Sequence, residues 1–138
     1  MKRFMLYAAI LLTASSMCAT TPAKTASKTT VAKKVEVYYF HFTRRCETCK
    51  AVEAESKKAL EALYPAQVKS GQVSFASINL DDKSSKAIAA KCKAEGQSLL
   101  IISGNKRIDI TDKGFMYALS NPDKLKAAIK TEVDNRLK

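Results

Sequence analysis

The sequence predicts an α/β domain in the order β-α-β-α-β-β-α, a four-stranded mixed sheet flanked by helices. Three observations carry that expectation. A β-branched and aromatic run, Val35 to Phe42, is followed by a stretch of helical composition from Lys50 to Tyr64. A second strand-then-helix alternation succeeds it between Gln72 and Glu95. Two further short apolar segments, joined by Gly104-Asn105, precede a final amphipathic stretch.

Each element has a local reason. Val35-Glu36-Val37-Tyr38-Tyr39-Phe40-His41-Phe42 reads as a buried strand, and the helix after it is expected from Cys49 to Tyr64, broken by Pro65 and Ser70-Gly71. Within that helix Val52, Ala59, Leu60 and Leu63 form an inner face, with Lys50, Lys57 and Lys58 on the solvated side. Gln72 to Leu80 alternates through Val73 and Phe75, then slips, with Ile78 and Leu80 against Ser77. Asp81-Asp82 suits a helix start, Lys83 to Glu95 the second helix, and Gly96 its end. Ser98 to Ser103 is a very apolar third strand. In Lys106 to Thr111, Ile108 and Ile110 alternate with charge, as in a half-exposed edge strand. Gly114-Phe115-Met116-Tyr117 reads either as the lining of a partner groove or as a loop that plugs the core. Asn121-Pro122-Asp123 opens the last helix, whose Leu125, Ile129, Val133 and Leu137 recur every fourth residue.

The first residues speak to compartment. Lys2 and Arg3 precede an apolar run of nine residues, Phe4 to Leu12, and then Thr13-Ala14-Ser15-Ser16. That is the pattern of a secretory signal over residues 1–19, too short for a spanning helix of ~20 residues. Cys18 offers a second ending, as the lipid-modified first residue of a lipoprotein anchored to the membrane. Residues 20–34, rich in Thr, Ser and Lys with almost no large apolar residue, are expected to form a flexible tether, leaving 35–138 as the folded domain. The formal charge of +11 falls to +9 when Lys2 and Arg3 leave with the signal. It falls to +5 for the domain once Lys24, Lys28, Lys33 and Lys34 are assigned to the tether. With no nucleic-acid motif and no basic-aromatic stripe, this surplus is a solvated lysine-rich surface, and nucleic acid is not an expected partner.

Cys46-Glu47-Thr48-Cys49 stands at the turn from the first strand into the first helix. Two thiols separated by two residues in that position have redox chemistry. Free helical N–H groups and the helix dipole favour a thiolate on the first, and the second can close back upon it. Arg44 and Arg45 adjoin Cys46 and favour its thiolate, while Glu47 opposes them; the balance is expected to lower the thiol pKa. His41, the single histidine, shares a strand face with Tyr39 and Thr43, where it can move a proton, serve as a ligand, or simply satisfy a backbone group. Cys92 sits on the apolar side of its helix, four residues after Ile88, and is expected to pack as a small hydrophobe.

With that element order, the Cys46-x-x-Cys49 pair and the hairpin before the last helix, the chain from Val35 to Lys138 resembles the thioredoxin superfamily. More narrowly, Tyr39-Phe40-His41-Phe42-Thr43-Arg44-Arg45-Cys46-Glu47-Thr48-Cys49 is similar to small exported thioredoxin-like proteins of the ArsF type, a name that connects them to arsenic or nitroreductase gene neighbourhoods. The resemblance implies a periplasmic or lipid-anchored thiol–disulfide oxidoreductase that needs no cofactor. It implies a monomer whose partners are a protein thiol or disulfide substrate and an electron-donor protein. Cys46 would attack and Cys49 resolve.

The departures from the family pattern are as informative. A cis-proline faces the CxxC in thioredoxins; here Gln97 stands in its place. The tryptophan before the first cysteine is Arg45, the intervening dipeptide is Glu-Thr, and the buried acid six positions earlier falls at Phe40. The proline is thought to keep metals off the thiolates, so its loss opens an alternative. The same thiols, Cys46 and Cys49 with Cys92 or His41, would bind a soft metal or metalloid such as Cu(I) or As(III), or sense redox state. A third reading makes the pair a structural disulfide in an interaction module.

Overall fold

The computed structural model describes residues 33–138; the expected signal segment, Cys18 and most of the expected tether lie outside the described residues. The chain forms β1 (Val35–His41), α1 (Glu47–Leu63), α2 (Pro65–Ser70), β2 (Val73–Asn79), a 3-10 turn (Lys83–Ser85), α3 (Lys86–Cys92), β3 (Ser98–Ser103), β4 (Lys106–Asp109), α4 (Thr111–Tyr117) and α5 (Pro122–Leu137). The sheet is mixed and four-stranded in the order β2-β1-β3-β4. β1 runs parallel to β2 and antiparallel to β3, and β4 is antiparallel to β3. The expected α/β class is therefore observed.

β1 is central because both of its faces are apolar. Val35, Val37 and Tyr39 point to one side, where Val52, Ala59 and Leu60 of α1 and Leu125, Ile129 and Val133 of α5 cover them. Phe40 points to the other, against Ala89 and Cys92 of α3 and Leu100 of β3. Complete burial of such side chains contributes roughly 1.5–3 kcal/mol each, so the α1–α5 side, with the larger cluster, is the main core.

β2 explains the slip in its sequence. Its pairing with β1 is unbroken from Val35↔Val73 to His41↔Asn79. The apolar residues change face instead: Val73 and Phe75 join the α1 side, and Ile78 and Leu80 the α3 side.

Several boundaries depart from expectation. α1 begins at Glu47, with Cys46 as its N-cap, so the first turn starts ahead of the expected Cys49. Pro65 starts a helix and does not end one. With its φ already suited to the first turn, it opens α2, which closes at Gly71 in a left-handed conformation (φ 77). α3 stops at Cys92 because Lys93 adopts φ 53, so Lys93 ends it in place of Gly96. Arg107 supports that end by donating from Nε to the Cys92 carbonyl at 2.9 Å.

β4 is also shorter than expected. Asp109 accepts the Thr111 amide at 3.0 Å through Oδ1 and turns the chain into α4, where a strand end and then a loop were expected. Gly114 allows that helix close approach: a Cβ there would stand 3.2 Å from Leu99 Cδ2 and 3.3 Å from Val52 Cγ1. The segment thus plugs the core, but as a helix. β4 forms the outer margin of the sheet, with Lys106, Arg107 and Asp109 exposed. α5 matches its expected span, with Asn121 Oδ1 accepting the Lys124 amide and Leu125, Ile129 and Val133 buried.

Candidate active site

The Cys46–Cys49 pair lies beyond the C-terminal end of β1, at the first turn of α1. Cys46 has extended backbone (φ −74, ψ 171) and does the work usually given to a serine or aspartate cap. Its Sγ accepts the Cys49 amide at 3.3 Å. Cys46 is exposed, Cys49 is 3% exposed, and both are free thiols. The spacing puts one sulfur at the surface and the other one turn inward, buried.

The Cys46 pKa is lowered from the ordinary thiol value. The leading cause is hydrogen bonding from the Cys49 thiol, followed by the Cys49 backbone amide; the amides of Cys46 and Thr48 add to it. The direction agrees with expectation, but the arginines are not its source. The guanidinium of Arg45 is ion-paired with Glu53 of α1, and Arg44 is exposed. Burial alone would raise the Glu53 carboxyl; the Ser77 hydroxyl and Arg45 instead hold it below the usual range, with a smaller contribution from His41.

His41 is 8% exposed and donates from Nδ1 to its neighbour's carbonyl, Phe42 O, at 2.9 Å. That is the satisfied strand-end role. Gln97 does face the pair: its Oε1 stands 3.8 Å from Cys49 Sγ. Beside Gln97 opens a cleft of about 400 Å³ whose walls include Glu95, Ser98, Asp109 and Asp112.

Cys92 is not part of this site. It is 3% exposed in the cluster on the α3 side of the sheet, across β1 from α1, and burial pushes its thiol pKa up. The alternative ligand set Cys46, Cys49 and Cys92 is therefore not brought together. Among the described residues no group of three His, Cys, Asp or Glu is placed to hold a metal ion.

Two features escaped the sequence. Asp81, expected at a helix start, anchors the loop before Cys46: its Oδ2 accepts the Thr43 amide at 2.7 Å, and Asn79 Nδ2 donates to Thr43 Oγ1 at 2.9 Å. The Thr43 amide lowers the Asp81 pKa. Tyr39, read only as a strand residue, is fully buried with its hydroxyl beside the Cys49 thiol. A tyrosine at an inward strand position was the available signal, since a buried hydroxyl needs a partner.

No helix among the described residues is long and apolar enough to cross a membrane. No family model and no curated protein matches the chain. Among solved structures, the chain is similar to one described as the structure of a malarial protein, at 18% identity and a TM-score of 0.45, over 71% of this chain and 96% of that one.

Proposed function

We propose that the protein is a thioredoxin-like thiol–disulfide oxidoreductase in which Cys46 attacks and Cys49 resolves. One observation carries the reading: Cys46 is an exposed helix cap whose sulfur accepts the Cys49 amide, with its pKa lowered, while Cys49 lies buried one turn behind it. The strand order, with the pair at the C-terminal end of a central strand flanked by a parallel and an antiparallel neighbour, supports a thioredoxin-like fold.

The Cys46 thiolate attacks one sulfur of a substrate disulfide. A Cys46–substrate disulfide forms, and the displaced substrate thiolate takes up a proton. Cys49 then loses its proton and attacks Cys46 Sγ. The Cys46–Cys49 disulfide forms, and the second substrate thiolate leaves. Two electrons pass from the dithiol to the substrate, and a separate donor protein must return them. Phe42, 40% exposed in the loop before Cys46, and the cleft beside Gln97 offer an apolar and a polar contact for an extended polypeptide. The signal pattern in the sequence supports a site of action in the cell envelope, periplasmic or lipid-anchored through Cys18.

The test is a redox titration of the metal-free full chain in dithiol buffers, read by thiol trapping and intact mass. A reversible two-electron transition of Cys46 and Cys49 between roughly −270 and −120 mV supports the proposal. A pair that remains oxidised well below that range is a structural disulfide. A pair that remains reduced throughout transfers the assignment to soft metal or metalloid binding by the two thiols.

A further inference from the structure

We propose that Tyr39 is the positioning residue of the buried thiol, its hydroxyl supplying the hydrogen bond that the Cys49 thiolate receives when it resolves a mixed disulfide. The inference rests on the reading of Cys49 as the resolving thiol. Alternation along β1 puts Tyr39 on the face that α1 covers, in line with Val35 and Val37, and the residue is wholly buried. Among the described residues its hydroxyl has no hydrogen-bond partner of ordinary geometry. The polar group beside it is the Cys49 thiol.

A buried hydroxyl without a partner costs about 1–3 kcal/mol, so such a group is retained where a second state of the molecule uses it. The second state here is the Cys49 thiolate. As a thiol, Cys49 has one proton to donate, and the acceptors within its reach are Cys46 Sγ and Gln97 Oε1. As a thiolate it has nothing to donate and needs donors. The Tyr39 O–H, otherwise unpartnered, is the donor on that side.

Tyrosine is suited to this task in a way that a carboxylate is not. Burial raises the Tyr39 phenol pKa, and the charge on Cys49 raises it further, so it remains protonated and acts only as a donor. The charged and titratable groups facing it are Cys49 and Cys46 at the start of α1, Arg45 in the preceding loop, and His41 on β1, whose ring centroid is 5.8 Å away. Of these, Arg45 alone counters the rise, and it is ion-paired with Glu53.

The experiment compares full-length Cys46→Ser with Cys46→Ser/Tyr39→Phe. Modification of Cys49 by a small methanethiosulfonate is followed by peptide mass from about pH 6 to 10, the range that brackets ordinary thiol ionisation. Phenylalanine keeps the ring and removes only the hydroxyl. The expected result is a roughly tenfold slower reaction of Cys49 at neutral pH, as befits loss of a hydrogen bond to a charged group, with the profile displaced to higher pH. Cys92, across the sheet, reacts unchanged, and the melting temperature is equal or higher. An unchanged Cys49 profile overturns the proposal. So does a melting temperature lowered by more than about 4 °C, since the hydroxyl would then hold the fold together. Because Cys46 is absent from both proteins, the result does not depend on whether the chain exchanges disulfides, which the redox titration decides separately.

Discussion

Arg45 is ion-paired with Glu53 and not with Cys46, although it precedes that cysteine directly in sequence. The lowered pKa of Cys46 therefore belongs to the Cys49 thiol and the N–H groups at the head of α1. Arg45→Ala should displace the pH midpoint of Cys46 alkylation by less than about half a unit. Iodoacetamide kinetics across pH, resolved by peptide mass, give that midpoint directly. A displacement of more than a unit would return the arginine to the thiolate.

The wild-type midpoint itself is expected below the ordinary thiol range, because the Cys46 pKa is lowered in the folded protein. The linkage follows in sign. A lowered folded value stabilises the reduced protein above the unfolded thiol pKa, and that stabilisation is lost as pH falls through the folded one. Cys92 behaves oppositely, its pKa being raised by burial, and should be alkylated last at every pH. Denaturation of the reduced chain at neutral and alkaline pH would show the gain.

Exchange activity should divide the two cysteines. Cys46→Ser abolishes it, because Cys49 is 3% exposed and cannot meet a polypeptide disulfide. Cys49→Ser leaves attack intact and accumulates mixed disulfides through Cys46, visible on non-reducing gels and reversed by a dithiol. Equal residual activity in the two variants would contradict the assigned order.

Asp81 ties the loop before Cys46 to the end of β2 through the Thr43 amide. Its carboxyl is lowered by that bond, so the tie is complete above about pH 4, where an unfolded aspartate ionises, and is lost as pH falls through the lower folded value. Asp81→Asn should speed hydrogen exchange of the Thr43 amide at neutral pH and remove this contribution to acid sensitivity. Exchange at Val37 and Ile101, inside the sheet, should be unaffected.

Packing makes two predictions of opposite sign. At Gly114 a Cβ would press on Leu99 and Val52, both fully buried, so Gly114→Ala should lose about 1 kcal/mol despite alanine's better helix propensity. Lys93 occupies the left-handed conformation that ends α3. Lys93→Gly should therefore gain about 0.5–1 kcal/mol, the relief of that strain less the added freedom of the unfolded chain. Urea denaturation of the two variants measures both.

Much of this architecture was legible in the residues. β1 and β3 stand out as apolar runs, and α5 is marked by Asn121-Pro122 and a stripe at every fourth position. The misreadings share a cause: residues that punctuate in sequence can initiate or pack in space. Pro65 starts α2, Gly114 admits α4 to the core, and Lys93 does what Gly96 was expected to do. The Cys46–Cys49 pair was visible from its spacing and from the strand and helix pattern on either side of it. Its surroundings were not, because they depend on approaches between distant segments: Asp81 to Thr43, Gln97 to Cys49, and Cys92 carried to the far side of the sheet.

The outer margin of the sheet has a consequence beyond the fold. A strand with one free side is a template on which another copy can lay itself down, the first step toward aggregation. Among the described residues β4 ends the sheet with Lys106, Arg107 and Asp109 in only four residues, and a second β4 beside it would have to strip these charges of their hydration. The short charged rim therefore acts as a guard against self-templating, one that ordinary salt leaves in force at contact distance and weakens only beyond about 10 Å.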